Sequence, residues 1–214
     1  MPNDRDALVK LYEIFLAGEF AASYRLIDES SMAPTTADRV AIARLVAVDM
    51  ANFESLAAHV SAAGVPLDEA IDRHIKVFND FHHGTSPRTW LEVLVKIYIG
   101  DGLVSDFFSE VAAVLPDDAR EALAAITTDS AAIDFARERV REAVDADPAV
   151  ASPLTLWGRR LLGEAITHMQ WVLAEDEDVT DLLFSGSASL AKAAEFFGAI
   201  AERHAQRMAD LGLG

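Results

Sequence analysis

Six stretches of this chain place apolar side chains at alternating steps of three and four residues, the spacing that lines up one face of an α-helix. The first three seams are Leu8, Tyr12, Phe15, Glu19, Ala22 and Leu26; Ile42, Leu45, Asp49, Asn52, Leu56 and His59; and Leu94, Ile97, Asp101, Val104, Phe108 and Val111. The other three are Ile126, Asp129, Ile133, Ala136 and Val140; Leu154, Trp157, Leu161, Glu164, His168 and Trp171; and Leu190, Ala194, Phe197, Ala201, His204 and Met208. Strand-like alternation of Val, Ile, Thr and Tyr is missing, so the fold expected is all-α. Each of the first five seams is also broken by one acid, and the sixth by none.

Turn and breaker signals fall at 31–36, 64–67, 82–87, 115–118, 145–153 and 185–187. They leave long helices expected at roughly 5–29, 35–62, 88–115, 117–146, 152–177 and 187–211, with a short helix near 67–80. That short helix bridges the second and third long ones, and the bridge is long enough to cross a bundle. The topology expected is a four-helix bundle with one long crossover, followed by two additional C-terminal helices. With 214 residues and 51% hydrophobic composition, the chain 1–214 is expected to form a single domain.

Glu19, Asp49, Asp101 and Asp129 each lie within two or three residues of an expected helix midpoint, a displacement of roughly 3–5 Å. In a bundle the midpoints of neighbouring helices share a layer, so these four carboxylates are expected to converge. Like charges a few ångströms apart in low dielectric raise one another's pKa, and a divalent cation would relieve them. Di-metal carboxylate bundles supply a Glu from each of two helices and Glu-x-x-His from each of two others. The acids are present here, whereas the positions three residues after Asp49 and Asp129 are Asn52 and Ala132.

Composition excludes other chemistries. There is no cysteine, hence no disulfide and no thiolate metal site, and no phosphate loop, nucleophile elbow or His-Glu-x-x-His motif. The formal net charge of −17 opposes nucleic-acid backbones, and the arginines at 137, 139, 141, 159 and 160 read as solvated helix faces or partners of bundle acids. A start without basic and apolar signal regions, and no 18-residue apolar run, lead to the expectation of a cytoplasmic protein without a membrane partner.

The segments AGEFAASYRL (17–26), APTTADRVAIARLVAVDMANFESL (33–56), WLEVLVKIYIGDGLVSDFFSEVA (90–112), FARERVREAV (135–144), LWGRRLLGEAI (156–166) and RMADLGL (207–213) carry a resemblance over nearly the full length. The chain resembles actinobacterial ferritin-like proteins grouped with the hydroxylases of a methylthiolated isopentenyl adenosine in tRNA. The resemblance implies a ferritin-like fold, a divalent metal (Fe, Mn or Mg) or its loss, and a tRNA substrate that the net charge disfavours; a homodimer is the expected assembly. The resemblance also implies that Asp49 stands where Glu is usual, that Asn52 and Ala132 stand where His is usual, and that Asp129 is the acid of the fourth-helix motif. A neutral amide oxygen at Asn52 suits harder cations than Fe²⁺.

Several positions keep a second reading. Asp101 in Gly-Asp-Gly reads alone as a turn, with Asp106 as the substitute acid, and Asp129 in TTDS reads as an N-cap. Asn52 can serve as a core hydrogen-bonding residue. Glu164 and His168, spaced i, i+4, are either a structural pair or a source of imidazole. His74, His82 and His83 are expected at the surface. Two functions follow from these readings: a di-metal oxidoreductase of the hydroxylase type, or a redox-inactive bundle that acts as a binding or structural module.

Overall fold

In the computed structural model, which describes residues 2–124, 130–184 and 189–214, regular structure among the described residues is helical. The elements are α1 (Pro2–Glu29), α2 (Thr36–Ala62), α3 (Leu67–Gly84), α4 (Trp90–Ala112), α5 (Asp117–Ala124), α6 (Ser130–Ala146), α7 (Ala151–Glu175), α8 (Glu177–Phe184) and α9 (Ser189–Asp210), with two short 3-10 turns.

Local chemistry fixes the helix ends. Thr35 and Thr89 cap α2 and α4, accepting from the backbone N–H of Asp38 and Glu92, each at 3.2 Å. At its other end α2 closes on Gly64, whose φ of 83° suits the left-handed cap. The Val65 N–H reaches the Val60 carbonyl at 3.3 Å, and the Gly64 N–H reaches that of Ser61 at 2.9 Å. Helix α9 ends the same way on Gly212, with Leu213 N–H bonded to the Met208 carbonyl at 2.8 Å.

Helix α1 is the centre of the fold: every residue from Leu11 to Ala17 is buried. A helix hidden on all faces is apolar nearly all round, and in the run LYEIFLA the one charged side chain, Glu13, is met by Arg73 of α3. Antiparallel α2 stacks His59 on Tyr12 at 5.0 Å and Phe53 near Phe20 at 6.0 Å. On another side, antiparallel α4 brings Phe108 to Phe15 at 4.3 Å and Lys96 to Glu29 at 2.6 Å. Helix α6 packs along α4 and against α2, completing four bundle helices. Helices α7 and α9 lie outside α4: the Trp157 indole donates to the Glu92 carbonyl at 3.0 Å, and Met208 packs beneath Gly158.

The structure differs from the sequence reading at three places. The short bridge near 67–80 is an 18-residue helix, α3, running parallel to α1 with Phe78 pressed on Gly18 and Arg73 on Glu13. It absorbs part of the expected 82–87 break, because Phe81 and His82 pack inward, and His82 is buried rather than at the surface. The expected helix 152–177 ends at Glu175, after which α8 ties back to α1 through Lys10, bonded to Asp176 at 3.2 Å and Asp178 at 2.7 Å. The α9 seam is rotated: Phe196, Ile200, His204 and Met208 are buried, whereas Leu190 is 87% exposed. Four-residue steps set that face, placing both Phe196 and Ile200 inward. Of the expected helix 117–146, α5 and α6 are described. No helix among the described residues is long and apolar enough to cross a membrane.

Leu94 on α4 is fully buried, so Leu94→Ala should cost roughly 2–5 kcal/mol of unfolding free energy. Leu190→Ala on exposed surface should stay within about 0.5 kcal/mol. Urea denaturation of both variants checks the contrast.

Candidate carboxylate site

Glu19 lies in the buried middle of α1, next to Gly18, where a Cβ would stand 3.2 Å from the Phe78 ring. Asp49 and Asn52 occupy one face of α2, three residues apart, and Asn52 is buried. Asp101 is inside α4, so its Gly-Asp-Gly setting forms helix rather than a turn. The Asn52 amide hydrogen-bonds the Glu19 carboxylate, and the charges of Asp49 and Asp101 both act on it. Three of the four acids expected to converge are therefore electrostatically coupled. Asp129, the fourth, lies outside the described residues.

Burial dominates the electrostatics. It pushes the Glu19 carboxyl up to about 8, with Asp49 and Asp101 adding to the rise and the Asn52 hydrogen bond opposing it. Asp49 is pushed up to about 7 by burial and then by Asp101. Asp101 rises to about 6 through burial, restrained by the positive charge of Arg207. Groups this close titrate as a unit, so near neutrality the layer holds protons shared among three carboxyls.

The described residues do not fit a metal pair. Among the described residues no group of three or more His, Asp or Glu is placed to hold one ion. The amide of Asn52 is engaged with Glu19, and Ala132, buried on α6, carries no donor atom. Glu164 and His168 sit elsewhere, on the seam of α7 and α3. His168 Nδ1 donates to the Glu164 carbonyl at 2.7 Å, and its ring lies between Phe81 at 5.8 Å and Trp171 at 4.6 Å. The Glu164 carboxylate faces Gly84 and lies 3.9 Å from Arg160. His82 is buried with Nδ1 unpartnered and is pushed down to about 3 by burial, then by Lys96, Arg25 and His168.

The arginine partners of Asp106 were not legible in the sequence, and the Lys96 to Glu29 pair barely so. Asp106, the substitute acid, is buried and accepts a two-pronged hydrogen bond from Arg207 at 2.7 and 2.6 Å. Arg203 Nε stands 2.8 Å from Asp106, and its Nη2 bonds Glu110 at 2.5 Å. Near the end of α1, Lys96 and Glu29 form a buried ion pair at 2.6 Å. The one hint of it in the sequence is a lysine inside VLVKIYI.

A buried acid layer held by α1, α2 and α4, with α3 as the crossover, defines a ferritin-like helical bundle. The family model for the ferritin-like domain of actinomycetes matches residues 2–186, and the chain belongs to that family. No curated protein matches it.

Because the Glu19 carboxyl is raised in the folded state, the folded chain binds its proton more tightly than the unfolded chain. Its stabilising contribution is complete below about pH 4.5 and is lost as pH rises through about 8. Glu19→Gln, which cannot ionise, should match the native chain near pH 5 and exceed it at pH 8.5. The gain should be roughly 1–3 kcal/mol, since one pKa unit corresponds to about 1.4 kcal/mol. Denaturation curves of both proteins across that range test the sign.

Proposed function

We propose that this protein is a redox-inactive ferritin-like bundle that acts as a binding or structural module. The observation that carries this reading is the Glu19, Asp49, Asp101 and Asn52 cluster, where an amide hydrogen-bonds a carboxyl that burial keeps protonated near neutrality. In this role burial and the neighbouring acids keep the proton on Glu19, the Asn52 amide positions the carboxyl, and the layer stays buried without an ion. A di-iron centre would supply oxygen activation, and its imidazole ligands set much of its affinity and electronics. Asn52 and Ala132 supply no imidazole, which supports loss of the hydroxylase activity implied by the resemblance to the tRNA-modifying enzymes. The net charge of −17 likewise opposes tRNA as a substrate.

A second reading, in which a harder divalent ion such as Mg²⁺ or Mn²⁺ binds Glu19, Asp49 and Asp101, requires these carboxyls to rearrange, because the described residues place no three acids or imidazoles around one ion. A homodimer is the assembly expected under either reading, and Tyr24 and Ile27, exposed on α1, offer it apolar surface.

The test is anaerobic loading with ferrous iron, followed by oxygen, with metal counted per chain and near-ultraviolet absorption recorded. Less than one iron per chain and no absorption from an oxo-bridged ferric pair are expected. Two irons per chain with that absorption, abolished by Glu19→Ala and by Asp49→Ala, would replace this reading with the oxidoreductase one.

A further inference from the structure

Helix α9 lies beyond the matched family region, and it carries two arginines to the side of α4 that bears Asp106. Arg207 grips Asp106 through both terminal nitrogens, at 2.7 and 2.6 Å. The same guanidinium lies directly against Gly102, where any Cβ would collide with it. Gly102 is four residues before Asp106, hence on the same helix face, and adjacent to Asp101 in the chain. Glycine weakens a helix interior, and the close approach of Arg207 is what requires it here. Arg203 supports the arrangement from one turn back, 2.8 Å from Asp106 and 2.5 Å from Glu110. Asp106 is therefore held by two cations, and Arg207 is pinned over the backbone beside Asp101.

We propose that Arg207 is the resident cation of the acid layer, giving Asp101 the positive charge that a divalent ion would otherwise give it and thereby closing the layer to metal. The inference rests on the redox-inactive reading and supplies its cause. A covalently tethered cation is present at full occupancy, and its field opposes entry of a second positive charge at Asp101. From its place against Gly102 and Asp106 its charge acts on Asp101, and it takes no place among Glu19 and Asp49, which leaves those two carboxyls to hold protons. A merely structural clamp between α4 and α9 would need the Arg207 to Asp106 fork, but it would leave cation affinity at the neighbouring layer unchanged.

The experiment measures Mn²⁺ affinity at pH 7.5 by magnetic resonance of the free ion, using the full-length chain. Arg207→Met should bind Mn²⁺ at least about tenfold more tightly than the native protein, a change of about 1.4 kcal/mol. Arg207→Lys, which keeps the charge, and Arg203→Met, which removes the neighbouring clamp, should both behave as the native chain does. Adding Asp101→Asn to Arg207→Met should abolish the gain. Arg207→Gln, able to hydrogen-bond Asp106, should show the same gain and serves if Arg207→Met does not fold. A folded Arg207→Met or Arg207→Gln with native affinity, or an equal gain in Arg203→Met, overturns the inference. Tight two-iron binding by the native chain would instead overturn the functional reading, whatever the arginine variants do.

Discussion

A carboxylate taken out of water needs a compensating charge, hydrogen bonds or a proton, and this bundle buries Glu13, Glu19, Glu29, Asp38 and Asp106. Most of them have found a partner on another element or in a cap. Arg73 meets Glu13, Lys96 meets Glu29, and Arg203 with Arg207 meets Asp106. Asp38 is bonded by the Thr35 hydroxyl. Glu19 stands apart, because among the described residues it has an amide and two further acids around it rather than a cation. The packing of α1 inside α2, α3, α4 and α8 buries Glu13, Glu19 and Glu29, and the cations that meet Glu13 and Glu29 tie α3 and α4 to it.

The helical class was legible because it depends on local spacing, and so was the inward setting of Glu19 and Asn52. A three-to-four rhythm reports which face is inward, and a polar residue on that face stands out, as Asp49, Asn52 and Glu19 do. The rotation of α9 was not legible, since Leu190 and Phe197 fit the rhythm as well as Phe196 and Ile200 do, and only the neighbouring surface chooses between them. The grip of Arg207 on Asp106 spans 101 positions in the chain, beyond the reach of any local pattern. Glu164 and His168 satisfied the spacing expected of a ligand pair, yet their helix packs against α3, away from the three coupled acids.

Membership of the actinomycete ferritin-like family accounts for residues 2–186, whereas both arginines that meet Asp106 come from the helix that follows. The fold and the charge arrangement of its acid layer are therefore written in different parts of the chain. A bundle of this kind can hold its inward acids on one set of helices while a helix outside the matched region alters the surroundings in which they titrate.

The threonine caps of α2 and α4 have a consequence for how such a layer survives change. The two helices run in the same direction from the same end of the bundle, and each is pinned where its threonine holds a backbone N–H. Asp49 lies fourteen residues beyond Thr35 and Asp101 twelve beyond Thr89, a difference in depth of only about 3 Å at 1.5 Å per residue. Each cap thus works as the zero mark of a ruler. Loops before the marks can lengthen or shorten across evolution without moving either acid, while one residue gained between mark and acid would swing the carboxylate about 100° around its helix.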